Sequence, residues 1–206
     1  NMLDLSLAGC RYSFFLYTLF AIPCLLEADY VLKLWLKNVP DWAVLFCRLQ
    51  ILLTMLEQLT NALGMALMAE GHIMKINIVN LVLSILTFIS LYLLYSFGFL
   101  PYWHFIISII FMVIIESCFK IYYCSRYCHL SIKYFIRNVF VRCVLCAVIP
   151  FLVGLYFVSE FEGQGFLRLC LTSVICTTIL IMVLFSIGMN KQEKNLIVRN
   201  MFTNMH

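Results

Sequence analysis

Charge is what this chain has least of. Lys and Arg number 14 and Asp and Glu 10 among 206 residues, so 12% of positions are charged. An ordinary soluble domain carries about 25%. Hydrophobic residues fill 64% of the chain, and the mean hydropathy is +1.00. Composition alone puts the chain in the membrane class. Soluble-enzyme signatures are missing as well: no G-x-G-x-x-G, P-loop, G-x-S-x-G or H-E-x-x-H occurs. The four histidines, His72, His104, His129 and His206, are scattered. No catalytic residue, cofactor or metal site is expected, and the chain reads as a non-enzyme. Cys143-x-x-Cys146 has redox or zinc spacing but lacks a second ligand pair nearby, and Cys118, Cys124, Cys128 and His129 flank a helix end. The ten cysteines are expected to be small apolar helix residues. The chain also starts at Asn1 without a charged-then-apolar leader, which leads us to expect a fragment of a longer protein.

What is abundant is long apolar runs. A hydrocarbon core about 30 Å thick takes roughly 20 apolar residues as a helix. Six segments meet that length: roughly Leu5–Leu26, Ala43–Ala69, Ile76–Phe97, Tyr102–Tyr123, Phe140–Val158 and Phe166–Gly188, with a tail over 189–206. The expected fold is therefore all-α, a polytopic membrane bundle of about six transmembrane helices. Pro101 falls in the first turn of the fourth segment, where a missing N–H costs least. Pro150 lies inside the fifth and is expected to kink it. Gly163 to Gly165 form a short turn before the sixth.

Basic residues accumulate on cytoplasmic loops. With the first end, the second and fourth connections and the tail on one side, that side holds ten of the fourteen basic residues. Half of them lie in the fourth connection: Lys120, Arg126, Lys133, Arg137 and Arg142. Six crossings with both ends cytoplasmic fit this split. Tyr and Phe interleave the basic run, and Lys133, Arg137 and Phe140 fall at helical spacing. Anchoring on anionic lipid is expected of it, rather than nucleic-acid binding.

Charge inside a bilayer is costly, so each polar side chain there calls for a reason. Gln50, Thr54, Glu57 and Asn61 step by four, three and four, which is one helix face. Gln58 lies beside it, and Glu57 is near mid-segment. Asn77, Asn80, Ser84 and Thr87 form a second such face. Two polar stripes on consecutive helices suggest a wet cavity, or hydrogen bonds between packed helices. Gln50, Thr54, Glu57, Asn61, Asn77, Asn80 and Ser84 are the candidates for a substrate or ion pathway. Glu116 and Lys120 stand in the favourable i,i+4 order for a structural ion pair. Arg11 and Arg48 lie near segment ends, where long basic side chains snorkel to water. Gly64, with Ala62, Ala66 and Ala69, offers a small-residue patch for close packing.

The longest break in the first third of the chain is Ile22–Trp42. It mixes Glu27, Asp29, Lys33, Lys37 and Asp41 with Tyr30, Trp35, Trp42 and several Leu, a composition suited to headgroup depth. Its sequence, A-I-P-C-L-L-E-A-D-Y-V-L-K-L-W-L-K-N-V-P-D-W-A over 21–43, resembles the outer connection of polysaccharide flippases (Wzx-type) in the multidrug/oligosaccharidyl-lipid/polysaccharide exporter superfamily. A-L-M-A-E-G-H-I-M-K-I-N over 66–77 is similar to a turn between two helices of that family. The likeness is strongest over about 20–100 and architectural beyond. It implies the C-terminal part of a two-bundle, MATE/flippase-like transporter in the inner membrane, with the N-terminal half as partner. By alternating access such a protein flips an undecaprenyl-diphosphate-linked oligosaccharide, an O-antigen or capsule or exopolysaccharide repeat. Besides lipid bilayer and lipid-linked oligosaccharide, H+ or Na+ would be a partner. Two alternatives stay open: a cation-coupled drug or metabolite exporter of the same superfamily, and a membrane-embedded glycan-assembly enzyme. The expected outer loops of about 16, 4 and 7 residues are short for the enzyme.

Overall fold

A computed structural model describes residues 2–100, 102–161 and 165–188. Pro101, the middle of the turn at 162–164 and the tail lie outside the described residues. Among the described residues seven helices follow one another: α1 (Met2–Leu26), the short α2 (Ala28–Trp35), α3 (Ala43–Ala69), α4 (Ile73–Ser96), α5 (Trp103–Tyr127), α6 (Ile132–Glu160) and α7 (Phe166–Gly188). All but α2 are long and apolar enough to cross a membrane. The described residues form a polytopic helical bundle, as expected of a chain whose backbone must satisfy its own hydrogen bonds in lipid.

Helix α1 is the hub. It packs against α3, α6 and α7, while α5 lies on the far side of α3 and α4 sits outermost against α3 and α5. Close approach depends on small residues. A Cβ on Gly9 of α1 would stand 3.2 Å from the Ala62 Cβ of α3, and one on Gly64 would meet the Lys120 side chain of α5. Gly154 of α6 is tighter: a Cβ there would fall 2.5 Å from Leu26 Cδ1 and 2.6 Å from Cys176 Sγ. The core runs through Leu7, Cys10, Phe14, Leu63, Leu67, Cys124, Phe135, Val139, Cys143 and Cys146, from four helices. All ten cysteines are free, and those in the core act as compact apolar side chains. Among the described residues, no three of His, Cys, Asp and Glu gather closely enough to hold a metal ion.

Segments two and six have the expected bounds; others extend further. The fifth was expected from Phe140, yet α6 begins at Ile132. The basic run is divided between two long helices: Lys120 and Arg126 lie in the last turns of α5, and Lys133, Arg137 and Arg142 in the first turns of α6. Phe135 and Val139 turn into the core while Lys133 and Arg137 stay exposed, so the turns are amphipathic and the helix continues through them. Backbone hydrogen bonds widen to the π pattern over Ile109–Ile115, Ile136–Phe140 and Leu184–Gly188. The break at Ile22–Trp42 is shorter than its sequence suggests. Pro23 sits within the end of α1, and Glu27 N–H donates back to its carbonyl at 3.0 Å. Helix α2 takes the next eight residues, leaving 36–42 as the link. Trp35 is 85% exposed there, with Leu34, Leu36 and Trp42 also outward.

Two ends of the bundle are distinguishable. At one, the α3–α4 turn meets the end of α5: Lys75 Nζ donates to the Tyr127 hydroxyl at 2.9 Å, and the His72 ring lies 4.0 Å from that of Tyr127. Gly71, at φ 88°, makes that turn possible. At the other end, the α1–α2 junction meets the starts of α3 and α7.

Candidate functional site

Midway along α3, Glu57 enters a cleft between α3 and α5. Gln58, Thr60 and Asn61 line it from α3, and Met112, Glu116 and Lys120 from α5; its volume is about 190 Å³. Helical spacing creates both walls. Glu57 and Asn61 are one turn apart, as are Met112, Glu116 and Lys120, so each group shares a face. Lys120 Nζ reaches Glu116 Oε1 at 2.7 Å, with both side chains largely buried. The hydroxyls of Thr60 and Ser117 lie 2.9 Å apart and tie the two helices beside the cleft.

The same ion pair also faces α4. Asn80, Ile76 and Lys75 of α4, with Leu67 and Tyr123, enclose a narrow crevice against Glu116 and Lys120. The Asn80 Oδ1 atom is buried without a hydrogen-bond partner there. Glu116 and Lys120 thus stand between Glu57 and Asn61 on one side and Asn80 on the other. Within the α3–α5 cleft, two carboxylates and one ammonium sum to −1 when all are ionised, while Lys75 stands on the α4 side of the pair. In a medium with little water that excess attracts a small cation, the proton included.

The remaining candidates lie elsewhere. Gln50 and Thr54 contact each other, Nε2 to Oγ1 at 3.5 Å, about one turn beyond the cleft. The α4 stripe splits. Asn80 and Thr87 turn inward, Thr87 donating to the Leu83 carbonyl at 2.8 Å, while Asn77 and Ser84 are exposed. Among the described residues, helix α4 packs mainly against α3 and α5, and that narrow seam does not cover the whole polar face.

Arg11 does not snorkel to water: its residue is 5% exposed, because α1 is enclosed by three helices. Arg48 is held by protein as well. It donates through Nη2 to Asp29 Oδ2 at 2.7 Å and through Nε to the Leu25 carbonyl at 3.1 Å. Sequence reasoning missed a second pair altogether. Arg168 Nη2 donates to Glu27 Oε2 at 2.8 Å, and its Nε lies 2.7 Å from Oε1, off the linear direction. The Glu27 side chain is 1% exposed and that of Arg168 is 11%. Glu27 marks an acid at the end of an apolar run, and Arg168 a base in the first turn of another. Those are the sequence signals, but nothing in the sequence pairs them.

Compared with family models, curated proteins and solved structures, the chain matches none. The functional reading therefore stands on the residues.

Proposed function

We propose that this bundle is part of a membrane transporter whose path runs along the α3–α5 cleft, with Glu57 as the titratable or ion-binding group. The observation that carries this reading is a carboxylate at mid-span, in a polar cleft shared with a second carboxylate and a lysine. A purely structural bundle has little use for an extra acid at that depth, since an unpaired one costs a few kcal/mol on insertion scales. The exposed Asn61 and the polar wall beside it suit a water-lined surface better than lipid. A second bundle, from the same longer chain, would supply the facing wall.

For substrate we take the lipid-linked oligosaccharide that the resemblance over 20–100 implies, moved across the inner membrane with both ends of this segment cytoplasmic. Gln50, Thr54, Asn77 and Ser84 would contribute polar contacts along the way. A cation-coupled exporter of drugs or metabolites is the second reading, and the net negative charge of the cluster favours it. The test is Glu57→Gln in cells that depend on the transporter. Insertion should be normal, with lipid-linked glycan accumulating on its side of synthesis. Unimpaired transport would refute a role for Glu57, and loss of dye export without a glycan defect would favour the second reading.

A further inference from the structure

At the end of the bundle where α5 turns into α6, the first turns of α6 carry an open groove of about 750 Å³. Lys133, Arg137 and Val141 form one i,i+4 row and Tyr134, Asn138 and Arg142 the next, so the groove runs between two adjacent ridges of one helix. Its middle coincides with the π-helical stretch Ile136–Phe140, a distortion often found at functional positions. Among the described residues, three cations line it and no carboxylate does. From 117 to 159 the chain has no Asp or Glu at all.

Beyond the groove, the same side of α6 is apolar and open. Val141, Leu145, Val148 and Leu152 are all exposed at helical spacing. A cationic, hydrogen-bonding recess that passes directly into an uncovered apolar stripe matches one chemistry: a phosphate-bearing headgroup with acyl chains attached. We infer that this groove is a binding site for an anionic phospholipid, with the phosphate between Lys133, Arg137 and Arg142 and a chain along Val141 to Leu152. Tyr134 and Asn138 supply donors to the headgroup. The site is independent of the transport reading.

The test is native mass spectrometry of the purified protein with dioctanoyl-phosphatidylglycerol, dioctanoyl-phosphatidylcholine and inorganic phosphate as probes. Phosphatidylglycerol should bind in preference to phosphatidylcholine, and added salt should narrow the gap. Each cation near a charged headgroup is worth about fivefold. Lys133→Gln with Arg137→Gln, both exposed and so compatible with folding, should therefore weaken phosphatidylglycerol binding on the order of 25-fold. The charge-keeping pair Lys133→Arg with Arg137→Lys should retain it. Lys33→Gln with Lys37→Gln, at the opposite end, should change nothing. Equal binding of the two lipids, or an unchanged affinity in the glutamine pair, overturns the proposal. Displacement of the lipid by inorganic phosphate at equal concentration would show a free-anion site and overturn it too.

Discussion

Removing one half of the Glu27–Arg168 pair should cost more stability than any surface ion pair could. In Arg168→Gln the Glu27 carboxylate keeps its burial, with a side chain 1% exposed, and loses its cation. Breaking a buried pair this way costs about 3–5 kcal/mol. The reverse substitution is milder. In Glu27→Gln an amide oxygen can still accept from the guanidinium, which also donates to the Phe161 carbonyl at 3.3 Å and has an 11% exposed side chain. The loss there should be about 1.5–3 kcal/mol, the range for a hydrogen bond to a charged group. In the double variant two neutral amides face each other, so the double should be more stable than Arg168→Gln alone. The assay is unfolding in mixed micelles by SDS titration, followed by tryptophan fluorescence, with a double-mutant cycle across the four proteins. Additivity within about 0.5 kcal/mol would refute the coupling. Losses below about 1 kcal/mol in both single variants would show that the pair behaves as an exposed one.

Two further outcomes are expected. Gly154→Ala should lower the unfolding midpoint by overpacking, about 1–3 kcal/mol, because the new Cβ would meet Leu26 Cδ1 and Cys176 Sγ at 2.5 and 2.6 Å. Cys176→Ala should recover part of it, and a Gly154→Ala variant as stable as the parent would contradict the close approach. For topology, Lys37→Cys should react with an impermeant maleimide from outside the cell and Arg137→Cys only after permeabilisation; the reverse pattern would invert the chain.

The spans were legible because hydropathy is a local property. Ala43–Ala69 and Phe166–Gly188 have the bounds that composition gives them. Errors fall where charge begins. The expected windows end at Tyr123, short of Arg126, and begin at Phe140, beyond Arg137, but helical hydrogen bonds pass through those charges, and so α5 runs on to Tyr127 and α6 starts back at Ile132. Within the candidate site, the Glu116–Lys120 pair was readable from i,i+4 spacing, and so was the face bearing Glu57 and Asn61. Their meeting was not, since it depends on which helices become neighbours. Arg11 was misjudged for the same reason: position near a span end says nothing of how many helices surround it. The Glu27–Arg168 contact joins residues 141 apart in sequence, beyond the reach of any periodicity.

If the bundle moves during transport, the seam between α3 and α5 is where opening costs least. Along part of that seam the groups in contact are polar: Thr60 with Ser117, and the cluster of Glu57, Glu116 and Lys120. Water can replace such partners, so the net loss per hydrogen bond is only about 0.5–1.5 kcal/mol. The contact of α1 with α6 and α7 differs. It is built on Leu26, Gly154 and Cys176 in close apposition and on a buried ion pair whose separation strands a charge. A disulfide across the polar seam should therefore arrest transport while the protein stays folded. Thr60→Cys with Ser117→Cys is the natural choice, because the native hydroxyls are 2.9 Å apart. Oxidation should stop transport in the double variant, reduction should restore it, and the parent with its free native cysteines should be unaffected. Full transport with the cross-link formed would mean that α3 and α5 move as one body, and that the cleft at Glu57 is not where the path opens.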